Sequence, residues 1–351
     1  MYAYILKRLL LMVPTLIGVM LVTFVVTQFV PGGPVEQLIN KLEGRGATGE
    51  VAGSVSQRIY RGDSGLDSDK LAALKKLYGF DKPAYQRFLQ MMVNYFQFKF
   101  GDSYYYQQSV LSLIISKMPV SATLGLWTFF IVYLTCIPLG IKKAVRDGTR
   151  FDVTSSTIIL IGYAIPGFVL GIMLLVLLGG GSFWDVFPLS GLTSDNWDQL
   201  GFFGKIGDYL WHITLPVTAY VVGSFAVLTM LTKNSFIEEI RKQYVTTARA
   251  KGLTENTVLY KHVFRNAIIP LVTSFPSAFV GAFFTGSLLI ETTFSLDGLG
   301  LLSYNAIINR DYPIVLGTLF IFTLIGLILK LVTDICYVLV DPRIQFESLE
   351  K

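Results

Sequence analysis

Lys330 and Asp334 stand four residues apart inside an otherwise apolar run, so a helix would carry both charges on one face. A charge at mid-bilayer costs roughly 2.5–3.5 kcal/mol, so such residues pair with one another or line water. Both lie near the end of the run, where lysine can snorkel to the interface. A structural ion pair is the favoured reading, with a proton relay or cargo contact as the other. Glu291, Phe294, Asp297 and Gly298 follow another apolar run, and read as a gate or a docking point. A third set is the patterned stretch 233–266, rich in Lys and Arg. Several chemistries are excluded. No GxxxxGK[ST] phosphate loop occurs; Gly201-Phe202-Phe203-Gly204-Lys205-Ile206 has the wrong spacing and lacks Ser or Thr. No Ser-His-Asp or Cys-His arrangement, and no carboxylate pair, falls at one membrane depth, which argues against a hydrolase. His212 and His262 lie far apart, and Cys136 and Cys336 sit in apolar runs, so neither a metal spacing nor a disulfide framework is present.

The elements that must position these residues are membrane helices. The chain has 351 residues, of which 52% are hydrophobic and 15% charged, whereas soluble domains carry about 25% charged residues. Mean hydropathy is +0.56. The net charge of +5 is read as the positive-inside bias of a membrane protein rather than a nucleic-acid footprint. Runs long enough to cross a bilayer cover 9–30, 119–141, 153–178, 210–232, 267–290 and 314–340. Backbone groups in lipid must be satisfied internally, so each is read as a helix. The expected fold class is an all-α polytopic membrane protein with six transmembrane helices. The first run follows Lys7 and Arg8 but is too long for a signal peptide and lacks a small-residue cleavage site; it is read as a retained helix.

Orientation follows from the short loops. Lys142, Lys143, Arg146 and Arg150 crowd one, and Lys233, Arg241, Lys242, Arg249, Lys251, Lys261 and Arg265 another. Lys7, Arg8, Arg343 and Lys351 fall on the same side, against Lys205 and Arg310 opposite. Both termini are therefore expected in the cytoplasm. The chain divides into 1–30 (N-terminus and first helix), 31–118 (a periplasmic insertion), 119–340 (a five-helix core with the cytoplasmic loop 233–266) and a tail, 341–351. Within the insertion, 43–69 is rich in Gly, Ser, Arg and Asp and lacks periodicity. A helix is expected from Lys70 to a Gly79 cap, and another over 83–98. The aromatic cluster Phe98 to Tyr106 reads either as a docking surface or as interfacial anchoring. Gly167 and Gly171 suggest close helix packing.

Inside 233–266, Ser235 and Glu238 have capping-box spacing and predict a helix start. Residues 244–252 read as a short helix ended by Gly252, and Thr254 caps another that runs through His262. Two short helices between two spans would make a lever. The run Tyr244, Val245, Thr247, Ala248, Arg249, Ala250, Lys251, Gly252 and Leu253, completed by His262, Arg265, Asn266, Ala267 and Pro270, resembles the EAA loop of importer-type ABC permeases in its peptide-permease form. Thr246 stands at the usual glutamate position and Pro270 lies further from Gly252, as is usual in the peptide branch. Phe100-Gly101-Asp102-Ser103, Glu291 to Gly300, Arg310-Asp311-Tyr312-Pro313 and Leu339 to Ile344 resemble further motifs of these permeases, with Asp297 where proline is commoner. With its insertion near 43–68, the chain most resembles the first permease subunit of microcin C-type oligopeptide importers of Gram-negative bacteria.

The resemblance implies a complex in the bacterial inner membrane. Its expected partners are a second homologous permease, ABC ATPase subunits, a periplasmic peptide-binding protein and the peptide cargo. Residues Tyr244 to Leu253 would form the ATPase-coupling helix. No cofactor is expected on this chain, ATP and Mg²⁺ belonging to the ATPase, and the chain itself is not expected to be an enzyme. The competing class is a proton-coupled secondary transporter built on Lys330 and Asp334.

Overall fold

The chain folds as helices over nearly all of the residues that the computed structural model describes, which are 2–29, 82–180, 183–283 and 288–340. In order they are α1 (Tyr2–Phe29), α2 (Ala84–Phe96), α3 (Val110–Val145), α4 (Arg150–Ala164), α5 (Gly167–Leu178), α6 (Phe202–Ile240) and α7 (Gln243–Ala250). Then follow α8 (Glu255–Ala267), α9 (Ile269–Phe283), α10 (Leu288–Thr293), α11 (Leu299–Ile308) and α12 (Tyr312–Val340). Extended pairing among the described residues is limited to the bridges Asp102–Ser109 and Gly179–Phe187. Four helices are long and apolar enough to cross a membrane, or six if each of two bent pairs counts as one span. The expected helix over 70–79, the stretch 43–69 and the tail 341–351 lie outside the described residues.

One bend interrupts a run expected to be a single helix, and a second lies at the edge of another. The run 153–178 breaks between α4 and α5 with a bend of 92°. Pro166 disfavours the helical region at the residue before it, and Ile165 is extended at φ −85°, ψ 119°. The second bend falls at the first residues of the run 267–290, not inside it. α8 and α9 meet at Ile268 with a bend of 53°, and Pro270 sits in the first turn of α9, where its missing N–H leaves no intrahelical bond unmade. A further correction concerns Ser235 and Glu238. They lie inside α6, which runs unbroken to Ile240. No Gly or Pro follows Gly223 before that point, so the preceding turns already satisfy the N–H groups a capping box would serve.

The fold forms two compact units. In the first (1–8, 115–302 and 325–351), Leu124, Val132, Cys136, Ile213, Val217 and Phe294 belong to one apolar core. Small residues set its close approaches. Gly167 lies where a Cβ would be 3.0 Å from the Ala219 carbonyl oxygen, and Gly171 faces the Phe294 ring, so the GxxxG is a packing device. Gly125 of α3 is the tightest, because a Cβ there would overlap the carbonyl oxygen of Ala282 on α9 outright.

In the second unit (9–114 and 303–324), the Phe24 ring of α1 meets Phe88 of α2 at 5.4 Å. Tyr95 stands edge-on to Phe100 and Phe320 at 5.0 and 5.5 Å. The buried Asp311 carboxylate accepts from Ser103 Oγ and from the N–H groups of Tyr104 and Tyr105, at 3.2 and 3.1 Å. Two motifs far apart in sequence thus join as one structural node.

Replacing Gly125 by Val forces α3 from α9. Overpacking of this kind costs about 1–3 kcal/mol, so the thermal midpoint in detergent should fall by several degrees; an unchanged midpoint would contradict the close approach.

Candidate functional site: the basic end of the helices and the mouth opposite

The basic stretch after α6 is built on a buried seam. Val245 and Ala248 of α7, three apart, turn one helix face inward. They share an apolar cluster with Ile141 and Ala144 of α3, Phe236 of α6, and Val258, Val263 and Ala267 of α8. Tyr244 adds a polar tie. Its hydroxyl donates to Glu239 Oε2 of α6 at 2.7 Å and accepts from Asn266 Nδ2 of α8 at 3.2 Å. Burial pushes the phenol above its ordinary range, so it stays a donor. α7 ends at Ala250, and Gly252 takes φ +78°, a left-handed conformation that suits glycine. The Thr254 hydroxyl accepts from Thr257 N, capping α8. α8 then passes through a π-helical stretch, Val258–Val263.

Of the residues singled out in the sequence, Thr247, Arg249, Ala250, Lys251, Gly252 and Leu253 are exposed, while Ala248 is in the seam and Tyr244 half-buried. Arg249 makes a forked pair with Glu255, Nε to Oε1 at 2.8 Å and Nη2 to Oε2 at 3.0 Å. Its charge thus braces the α7–α8 turn.

A second set of charges beside the seam was missed by the sequence reading, which counted Lys143 and Lys233 only as loop cations and passed over Asp152 and Asp147. α3 and α6 cross where a Cβ on Gly140 would lie 2.9 Å from the Thr229 carbonyl oxygen. One turn on, Lys143 is fully buried. Its ammonium donates to the Asp152 carbonyl oxygen (2.8 Å), Ser155 Oγ (2.8 Å) and Ser156 Oγ (2.7 Å), and stands 3.0 Å from Asp152 Oδ1. Asp152 Oδ2 accepts from Lys233 of α6 at 2.6 Å and from Gly148 N at 3.1 Å. Lys233 also meets Asp147 at 3.0 Å. The available signal was Lys143 and Asp152 flanking a four-residue turn, but nothing in the sequence placed Lys233 beside them.

At the opposite end, Glu291 of α10 is fully buried. It accepts from Ser121 Oγ of α3 at 3.0 Å and from Leu301 N, in the first turn of α11, at 2.8 Å. Ser121 Oγ in turn accepts from Leu299 N at 2.8 Å. Gly298 leaves room for this carboxylate, since a Cβ there would lie 2.6 Å from its Cδ. Glu291 thus caps the first turn of α11, with two donors aimed at its carboxyl oxygens. Phe294 is buried beside it, whereas Asp297 is exposed and pairs with Lys117 of α3. Burial raises the Glu291 carboxyl above its ordinary 4.5; Asp297 adds to this, and the bonds from Leu301, Ser121 and Gly300 oppose it.

The expected Lys330–Asp334 pair is corrected. Asp334 bonds to Arg8 Nη2 of α1 at 3.0 Å and accepts from Tyr4 OH at 3.2 Å. Among the described residues, Lys330 and Asp334 form no ion pair, and Lys330 is exposed. Arg8 Nε donates to the Tyr4 hydroxyl at 3.1 Å, so guanidinium, phenol and carboxylate form one closed set. Among the described residues, no group of three His, Cys, Asp or Glu side chains is placed to hold a metal.

Long apolar helices joined by a docked basic loop define a polytopic transport-type membrane protein. The comparisons specify it. Residues 136–346 match the family described as binding-protein-dependent transport system inner membrane component, and the chain belongs to that family. It is 57% identical to the peptidoglycan transport system permease protein YejB of Agrobacterium fabrum, over 99% of both chains. It is 55% identical to the inner membrane ABC transporter permease protein YejB of Escherichia coli O157:H7, over 99% of this chain and all of the other. The dipeptide transport system permease protein DppB of E. coli K12 is 31% identical, over 99% of this chain and all of the other.

A carboxyl raised in the fold holds its proton more tightly there than in the unfolded chain. Glu291 therefore favours the fold fully below pH 4.5 and loses that contribution as the pH climbs through its raised value. The thermal midpoint in detergent should fall over that range, and Glu291→Gln should flatten the fall; an equal slope in the variant would contradict the assignment.

Proposed function

We propose that this chain is the membrane-spanning permease subunit of an ATP-driven importer of peptides or peptide-like compounds, microcin C-type compounds among them. The observation that carries the reading is α7, whose inner face is locked in the apolar seam while Thr247, Ala250, Lys251, Gly252 and Leu253 stay exposed. A short rigid projection between two spans suits a cleft on a separate motor subunit. Relatives at 57%, 55% and 31% identity are named as permeases, and two of the names carry a peptide or peptidoglycan cargo. Both cargoes present peptide groups.

In this reading the basic end faces the cytoplasm, and so do both termini. ABC ATPase subunits bind ATP and Mg²⁺ and grip α7. A second, homologous permease completes the path. A periplasmic peptide-binding protein delivers the cargo to the opposite mouth, where Asp297 and Lys117 form the accessible charged pair and Glu291, Phe294 and Gly298 form the frame behind it. Closure of the ATPase pair moves α7 and biases the spans between two arrangements, a rigid-body switch driven by a ligand that prefers one state.

Mild-detergent purification through a tag on this chain should recover an ATPase and a second six-span permease; recovery of the chain alone, in active form, would contradict the reading. Gly252→Val places a β-branched residue in a left-handed conformation, at a cost of roughly 1–2 kcal/mol. Uptake should fall several-fold while the complex still assembles, and wild-type uptake would count against α7 as the coupling element.

A further inference from the structure

We infer that Lys233, Asp152 and Lys143 form an electrostatic latch that makes α4 move with α3 and α6 when α7 is displaced. The inference rests on the reading of α7 as the motor contact and adds the residues that pass its motion on.

The latch begins with how the loop is held. The apolar seam fastens α7 to the ends of α3 and α6. It contains no residue of α4. At this end α4 meets α3 through Asp152, Ser155 and Ser156, which hold Lys143, and through Phe151, which lies under Lys142 and Arg146; Asp152 in its first turn is the side chain that also bonds a lysine of α6. The Asp152 carboxylate lies between a lysine of α3 and a lysine of α6, at 3.0 Å and 2.6 Å. The close crossing at Gly140 brings both ammonium groups to one side chain. Lys143 has all three protons engaged by the Asp152 carbonyl and the Ser155 and Ser156 hydroxyls. It grips the backbone and the first turns of α4, while its charge faces Oδ1. Lys233 spans both Asp152 and Asp147, so it ties the α3–α4 turn to the helix that runs directly into α7.

Burial gives these bonds stiffness. Lys143 is 0% and the Asp152 side chain 6% exposed. Separating the charges would leave an ammonium without its counter-charge away from water, which is far costlier than breaking a surface pair. The helices therefore shift together rather than slide past one another. α4 leads into the 92° elbow at Ile165–Pro166, so a shift at its first turn reaches α5 as well.

The test uses the whole complex, purified through this chain and reconstituted in vesicles, with cargo moved per ATP hydrolysed as the readout. Lys233→Met removes the α6 half of the latch but leaves Asp152 with Lys143 and Gly148 N, and Asp147 with Arg241, so the fold is kept. An Ala250→Cys cross-link to the ATPase reports docking separately. We expect the cross-link to persist while cargo per ATP falls roughly fivefold to tenfold, and Lys233→Arg to restore it. A merely stabilising contact would change yield and thermal midpoint without changing that ratio. Wild-type cargo per ATP in Lys233→Met, with the cross-link intact, overturns the latch and leaves the α7 reading standing. A cross-link lost only in Lys233→Met also overturns it, because the lysine would then serve docking. No cross-link in Ala250→Cys alone overturns the α7 reading, and the latch with it.

Discussion

The burial of Val245 and Ala248 against Ile141, Ala144, Phe236, Val258, Val263 and Ala267 is the contact on which the basic end depends. α7 is eight residues long, and isolated helices shorter than about 12–15 residues are marginal in water. Burying a valine side chain contributes about 1.5–3 kcal/mol, enough to decide whether such a helix persists. The hydroxyl of Tyr244, bonded to both α6 and α8, and the forked Arg249–Glu255 pair fix its ends. A free loop would absorb a push, whereas a docked helix transmits it.

The same device recurs at the opposite end with polar groups. Glu291, Ser121 and the N–H groups of Leu299 and Leu301 join α3, α10 and α11 by direct hydrogen bonds, and Gly298 is needed because the carboxyl group fills the space of its Cβ. α3 takes part in both arrangements, through Ser121 near one end and Ile141 to Ala144 near the other. A single continuous helix therefore carries a fixed point of each.

Much of this was legible in the sequence, for definable reasons. Spans were found because lipid demands long apolar runs, and α7 because Gly252 and the Tyr244-to-Leu253 pattern are local. The interruption at Ile165 was written in Pro166, yet hydropathy averages over it. The Ser235–Glu238 spacing misled because a capping box acts only where a helix is beginning, and α6 had not ended. Asp334 went to Arg8, some three hundred residues away, rather than to Lys330 on its own helix, because the packing of the helix ends brings Arg8 and Tyr4 to the same carboxylate oxygen. The Lys143–Asp152–Lys233 cluster was invisible for a related reason: it exists because Gly140 allows α3 and α6 to approach, and a helix crossing is not a sequence pattern.

The most direct measurement is a pair of spin-label distances in the reconstituted complex, with and without ATP. Labels at Arg150 and Lys251, both exposed, report on the body formed by the α4 start, the seam and the loop; a label on Lys251 paired with one on the companion permease reports on its motion. A rigid lever predicts that the distance within the chain keeps the same mean and width while the distance between subunits shifts. An ATP-dependent shift or broadening of the Arg150–Lys251 distance would mean that the loop flexes by itself, and would contradict the lever.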